Sequence, residues 1–137
     1  MIPVLHEALC NGQRLRLFRP PADGTDFPWH AMDDLHACLG LPAELRRTIM
    51  RGIRSQVIVH TVATADGIVT IAPHFMAYGL IEGAIERGHA PAWAEKEYRL
   101  SMVVAMKKMT AHLGEAGSLG FAIAAARRQA DDDGGAA

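Results

Sequence analysis

The sequence predicts a single compact α+β domain, in which two short β-hairpins pack with four to five helices. Strand-like segments come in two pairs, and a turn-forming segment separates the members of each pair. Segments with helical spacing follow the strands, and no internal repeat or long linker interrupts the 137 residues. A chain of this length buries a core without the help of disulfides or metals.

The first pair of strands is predicted at residues 14–18 and 27–30. Arg14–Phe18 alternates polar and apolar residues, which places Leu15 and Leu17 on one side of a half-buried strand. Residues 19–26 hold two prolines, a glycine and two aspartates, a composition typical of a turn. Phe27–His30 is short and rich in aromatic residues, so we expect it to be the partner strand.

Two helices are predicted next. The first begins near Ala31, has Asp33 and Asp34 in its first turn, where acidic groups interact favourably with the helix dipole, and ends at Gly40. The second should run from Pro42 to Arg54, because proline is tolerated in the first turn of a helix.

The second hairpin is predicted at residues 56–63 and 68–71. The first of these segments is rich in β-branched residues, and Asp66-Gly67 is a strong signal for a hairpin turn. Three helices should follow, at residues 73–87, 91–113 and 119–130. We expect residues 131–137 to form a frayed, disordered acidic tail. These boundaries divide the chain into an α+β domain at 1–114 and a C-terminal Ala-rich helix with its tail at 115–137.

The composition favours a cytoplasmic protein. Residues 1–7 lack the basic and apolar regions of a signal peptide, and no apolar run approaches the ~20 residues that a membrane span needs. The two cysteines, Cys10 and Cys38, are too few for a secreted disulfide framework, so we interpret them as free thiols. No contact with a membrane is expected.

Catalytic or metal-binding chemistry is not predicted. His30 and Asp34 are four residues apart, but neither a His-Glu-x-x-His nor a Cys-x-x-Cys motif is present. We interpret His30 as a strand residue, the aspartates as helix N-terminal residues and Cys38 as a packing residue. The protein is therefore expected not to be an enzyme and to need no cofactor or metal.

Two features of the later helices are interpreted as packing signals. Gly79 and Gly83 are spaced i, i+4 and should let another helix approach closely. Four residues of the long helix form an apolar stripe that indicates either core or a dimer interface: Met102, Met106, Met109 and Leu113.

The helix at residues 42–54 carries the clearest functional signal. The formal net charge of the chain is −1, yet residues 45–54 contain four arginines and no acid. At about 100° per residue, Leu45 and its apolar neighbours lie on one face, and most of the arginines lie on the opposite face. Such a row suits phosphate contacts, although a solvent-exposed face is the alternative. The candidate DNA-binding residues are Arg46, Arg47, Arg51 and Arg54.

A resemblance strengthens the DNA-binding interpretation. Residues 27–41 read Phe-Pro-Trp-His-Ala-Met-Asp-Asp-Leu-His-Ala-Cys-Leu-Gly-Leu. This segment resembles the signature of the BRO family N-terminal domain, found in phage antirepressors and baculovirus repeated proteins. The matching positions are Pro28, Trp29, Asp34, Leu35, Leu39 and Gly40. In outline the resemblance extends from Asn11 to Leu113. It implies a compact α+β unit with a role in DNA binding and in phage or prophage gene control.

Three functional hypotheses follow. The first is a DNA-binding regulatory domain of phage or mobile-element, antirepressor-like type, in which the helix at residues 42–54 contacts the DNA backbone. The second is a protein-interaction module that binds a regulator or effector complex, or homodimerises through the methionine-bearing helix, without DNA binding. The third is an enzyme, which would need a pocket that gathers His30, Asp34 and another histidine.

Overall fold

The computed structural model describes residues 1–56 and 59–135, and the side chains of residues 1–53 and 59–131. Within these ranges the chain forms a five-stranded antiparallel sheet and five α-helices, which confirms the α+β class. The strands are β1 (His6–Cys10), β2 (Gln13–Phe18), β3 (Trp29–Ala31), β4 (His60–Thr64) and β5 (Gly67–Ala72). The helices are α1 (Met32–Cys38), α2 (Ala43–Gln56), α3 (His74–Glu86), α4 (Trp93–Thr110) and α5 (Gly114–Gly135), and a 3-10 turn (Ala111–Leu113) joins the last two.

The two predicted hairpins are parts of one sheet, with the strand order β1-β2-β3-β5-β4. The short strand β3 pairs on both of its edges. His30 lies opposite Leu17 of β2 on one edge and opposite Ala72 of β5 on the other. Both predicted hairpins, β2–β3 and β4–β5, are confirmed, and the pairing of β3 with β5 joins them into a continuous sheet.

Strand β1 was not predicted. It pairs with β2 across a two-residue turn, in which Asn11 has a φ of 51° and Gly12 a φ of 75°. Two successive residues with positive φ form the turn that matches the twist of a hairpin, and Asn-Gly is its favoured sequence. The strand itself contains Glu7, Ala8 and Leu9, which favour helix over strand.

The predicted helices are confirmed, with altered boundaries. Gly40 ends α1 as expected, with a φ of 63° that residues other than glycine rarely adopt. Helix α2 continues to Gln56, where a strand was predicted to begin, and residues 57–58 of that predicted strand lie outside the described part. Helix α5 begins at residue 114 instead of 119 and continues through residues 131–135, which were predicted to be a frayed tail. Residues 136–137 of that tail lie outside the described part.

The core lies on both faces of the sheet. Leu15 and Leu17 of β2 pack against helices α1, α3 and α4, with the fully buried Tyr98 among their neighbours. Because successive strand residues point to opposite faces, Phe18 belongs to the other face, where it packs in a cluster with Trp29. The larger cluster fixes α1 on the sheet, and α1 leads directly into the connection to α2.

Candidate nucleic-acid interface

Helix α2 has two faces with different surroundings. Leu45 and Ile49 are half-buried against the main core, and Ile53 is buried. Arg47 and Arg51 are exposed. The apolar face attaches the helix to the domain by burying hydrocarbon, so the opposite face remains available for contacts outside the chain.

The exposed side of α2 borders an open groove of about 710 Å³. Helices α1 and α2 and strand β5 contribute to its lining. The lining residues are Asp33, Ala43, Arg46, Arg47, Met50, Arg51 and Thr70. Three of the four arginines predicted from the sequence therefore lie around one groove.

The arginines of the groove have different local contacts. Arg46 is half-buried, and its Nε donates a hydrogen bond to the carbonyl oxygen of Leu41 at 2.8 Å. This bond holds the α1–α2 connection against α2 and leaves the rest of the guanidinium group at the groove. Among the described residues, neither Arg47 nor Arg51 forms an ion pair. The side chain of Arg54 lies outside the described residues.

Asp33 is the one carboxylate among the described residues that line the groove. It projects from the first turn of α1 and is exposed. The buried His36 lies behind it: its pKa is lowered, first by burial and then by Arg46, while Asp33 acts in the opposite direction. Three guanidinium groups against one carboxylate give the groove an excess of positive charge, which suits it to an anionic ligand.

A buried ion pair fixes α1, and with it Asp33, on the sheet. Asp34 accepts hydrogen bonds from Arg16 at Nε (2.8 Å), at Nη2 (2.9 Å) and at the backbone nitrogen (2.9 Å). The two side chains are only 8% and 9% exposed, and this contact raises the pKa of the Arg16 guanidinium. The pairing of β2 with β3 ends at Leu17–His30, and the backbone N–H of Arg16 has Asp34 as its acceptor in place of a strand carbonyl.

Searches of family models, curated proteins and solved structures found no match to this chain.

Sequence patterns do not indicate that Asp33 and Thr70 lie beside α2. Asp33 was interpreted as a helix N-terminal residue and Thr70 only as a strand residue. They reach the groove because β3 pairs with β5, and α1, which follows β3 directly, therefore packs against β5. The one feature of the sequence that marks this region is the acidic pair Asp33-Asp34. In the structure Asp33 is exposed at the groove, and Asp34 is buried against Arg16.

The enzyme hypothesis requires His30, Asp34 and another histidine to line one pocket. No hydrogen bond joins His30 to Asp34, and Asp34 is bonded to Arg16. The buried ring of His30 lies near Tyr98, with ring centroids 6.4 Å apart, and Tyr98 Oη is 2.7 Å from Nδ1 of His74. Within the residues that the structure describes, no group of three or more His, Cys, Asp or Glu is arranged to hold a metal ion.

The glycine prediction for α3 was wrong. A Cβ added at Gly79 or Gly83 would meet no atom within 4 Å, so neither glycine lies at a close contact with another helix. Both glycines line a second, mainly apolar groove of about 220 Å³ between α2 and α3, together with Leu45, Ile49 and Leu80. The two helices are separated at this point and are not packed ridge into groove.

The methionine stripe of α4 belongs to the core. Met102, Met106 and Met109 are buried, whereas Leu113, the fourth residue of the predicted stripe, is 42% exposed. The methionines pack against α3 and α5 and against strands of the sheet, and are thus not a free surface for a partner. Among the described residues, no helix combines the length and the apolar character that crossing a membrane requires.

The basic surface of α2 is local. Four further cations considered from the sequence do not line its groove: Lys107, Lys108, Arg127 and Arg128. Lys108 instead lies 2.8 Å from Nδ1 of His6, and Arg128 donates to the carbonyl oxygen of Thr25 at 3.4 Å.

Proposed function

We propose that this chain is a DNA-binding regulatory domain that places α2 against the phosphate backbone. The observation that carries the proposal is the groove beside α2, where Arg46, Arg47 and Arg51 face a single carboxylate, Asp33. None of these three guanidinium groups has an ion-pair partner among the described residues. Guanidinium groups bind phosphate through paired N–H donors, and such contacts supply most of the sequence-independent affinity for DNA.

The position of each arginine indicates its role in such a complex. Arg47 and Arg51 lie one turn apart on the exposed face, about 6 Å along the helix axis, and are the primary phosphate ligands. Arg46 is held in place by its bond to Leu41 and contributes charge from a fixed position. Asp33 repels phosphate, so DNA lies toward the Arg47 and Arg51 end of the groove.

The regulatory part of the proposal, of phage or mobile-element type, rests on the resemblance of residues 27–41 to the BRO signature. In this fold the segment forms β3, α1 and the start of the connection to α2, and it supplies Asp33 to the groove. The proposed DNA contacts, by contrast, rest on α2 alone. Failure of DNA binding would therefore contradict the proposal whatever the evolutionary origin of the segment.

The proposal is tested by fluorescence anisotropy with a labelled random duplex across a salt series. Three phosphate contacts predict a log–log salt slope near −2.7, which is about a 40-fold loss of affinity between 50 and 200 mM salt. The double variant Arg47→Glu/Arg51→Glu should abolish binding, because two attractive contacts become repulsive. Circular dichroism should show an unchanged fold, since both side chains are exposed.

The matched control is Arg99→Glu/Arg127→Glu. It changes the net charge by the same amount, but both side chains are exposed away from the groove. We expect it to bind within a few-fold of the natural sequence, since long-range charge is screened at physiological salt. Binding that survives in the α2 variant, or that is lost equally in the control, would contradict the assignment of DNA contacts to α2.

A further inference from the structure

Helix α4 carries an exposed face on the side opposite its buried methionines. Five residues of α4 lie within a sector of about 80°, at about 100° per residue, and Ala111, the first residue of the 3-10 turn, continues their spacing. We call them the α4 face: Trp93, Glu97, Leu100, Val104, Lys107 and Ala111. Trp93 is 52% exposed, Leu100 is 55% exposed and Val104 is 41% exposed, so a large apolar area is open to solvent. Three large apolar side chains exposed along one side of a helix favour a contact surface.

The α4 face consists of two rows with seven-residue spacing. One row contains Trp93, Leu100 and Lys107, and the other contains Glu97, Val104 and Ala111. Alternating spacings of four and three residues are the pattern with which two long helices pack along a common seam. The 18 residues of α4 extend over about 27 Å at 1.5 Å per residue, which is long enough for several layers of contact.

The two rows are complementary to each other when two α4 helices run antiparallel. Each residue of one copy then lies at the same level as one residue of the other copy, and we call such a pair a layer. The two positions of a layer are equally far from position 102, on opposite sides of it. Trp93 meets Ala111, a large side chain against a small one. Leu100 meets Val104, which pairs two exposed aliphatic groups. Each layer occurs twice, as a two-fold interface requires.

The third kind of layer pairs opposite charges. Glu97 of one copy shares its layer with Lys107 of the other, and the two-fold axis generates the same pair again. Oε1 of Glu97 accepts the backbone N–H of Asn11 at 2.9 Å, which holds the carboxylate in place. Within the described residues, no hydrogen bond is made by Oε2 of Glu97 or by Nζ of Lys107.

From this complementarity we propose that the chain forms a two-fold homodimer in which the α4 faces of two copies pack antiparallel. The partner is a second copy because every layer pairs side chains of this chain that match, one kind of layer in size, one in apolarity and one in charge. This interface differs from a dimer through the methionines, which are buried within each copy. It is also independent of the DNA-binding proposal, since it shares no residue with the groove beside α2.

The test is sedimentation velocity of the full chain over a wide concentration range. We expect a concentration-dependent species of twice 14.8 kDa. Lys107→Glu places two Glu–Glu pairs in the interface and Glu97→Lys places two Lys–Lys pairs. Each single variant should therefore raise the dissociation constant about tenfold or more. An equimolar mixture of the two variants restores both opposite-charge pairs in the heterodimer, so the mixture should associate again.

Two further variants keep the outcome clear. Arg99→Glu reverses a charge on α4 outside the α4 face and should leave the dissociation constant unchanged. Leu100→Lys removes an apolar layer without touching the Asn11 contact of Glu97, and should give a folded monomer. The proposal is overturned by a natural chain that stays at 14.8 kDa, including one that instead binds another protein or lipid vesicles. A mixture of charge variants that remains monomeric, while each variant is folded, overturns the antiparallel register.

Discussion

Three histidines are buried in the core, and the pKa values of two of them, His30 and His74, are strongly lowered. Burial, together with the nearby His74 and His36, lowers the pKa of His30 from its ordinary value of 6.5 to about 3. Burial lowers the pKa of His74 to about 4. His30 is fully buried and neither of its ring nitrogens has a hydrogen-bond partner among the described residues, while His74 is bonded to Tyr98. A proton on either ring would place an unpaired charge in the core.

These shifts make the free energy of unfolding depend on pH. Below pH 6.5 both imidazoles take up protons in the unfolded chain, whereas in the folded protein they stay neutral at pH 5.0. The unfolded state therefore binds more protons, and stability decreases as the pH falls from 6.5 towards the folded pKa values. At pH 5.0, about 1.5 units below 6.5, each histidine lowers stability by about 2 kcal/mol and the two together by about 4 kcal/mol.

Urea unfolding at pH 7.5 and 5.0, at one protein concentration, measures this difference. Tryptophan fluorescence is a suitable signal because Trp29 is buried in the sheet. Most carboxylates titrate near pH 4, below this window, so histidines dominate the change. His30→Leu should reduce the pH dependence by about 2 kcal/mol, because it replaces an unpaired ring by an apolar side chain of similar volume. The control is His112→Gln, at an exposed position, which should keep the full pH dependence.

Two results would refute this reasoning. One is a free energy of unfolding that changes by less than about 1 kcal/mol between the two pH values, since two neutral buried histidines cannot give so small a difference. The other is an equal loss of pH dependence in the His112 control and in the His30 variant. That result would assign the effect to the total number of histidines and not to burial.

Two further substitutions test the support of the groove and the end of α1. Asp34→Ala leaves the buried Arg16 guanidinium unpaired and should destabilise the fold by about 3–5 kcal/mol in urea unfolding, whereas Asp33→Ala at the adjacent exposed site should change it by less than about 0.5 kcal/mol. Equal effects of the two would show that the ion pair does not fix α1. Gly40→Ala puts a Cβ 2.9 Å from the carbonyl oxygen of His89 at a φ of 63°, and should lower the unfolding free energy by about 1–3 kcal/mol. An unchanged thermal midpoint would contradict the backbone argument.

Local signals in the sequence predicted most of the elements. The helical spacing of Leu45 and Ile49 against Arg47 and Arg51 predicted both faces of α2, because the period of a helix determines which side chains share a side. The Asp66-Gly67 signal predicted the β4–β5 hairpin for a similar local reason. These features depend on residues within a few positions of each other, so they can be recognised without knowledge of the tertiary fold.

Two pairings of the sheet were not predicted, for different reasons. Strand β1 has residues that favour helix, and these outweighed the local signal of the Asn11-Gly12 turn, which returns the chain onto β2. Strand β3 has only three residues, and its pairing with β5 joins the two halves of the sheet. That second pairing cannot be read from a period of two, because it depends on a segment elsewhere in the chain.

Arg16 shows most clearly why the surroundings of the groove cannot be predicted from the alternation of polar and apolar residues along a strand. In the Arg14–Phe18 strand, alternation places Arg16 on the polar side with Arg14, yet Arg14 is exposed and Arg16 is buried. The difference arises because the pairing of β2 with β3 ends at Leu17–His30, and Asp34 at the start of α1 accepts the backbone N–H of Arg16 beyond it. The same ion pair fixes α1, so that Asp33 can lie beside the arginines of α2. The charge balance of the groove thus depends on where the pairing of two neighbouring strands ends, which no pattern within α2 contains.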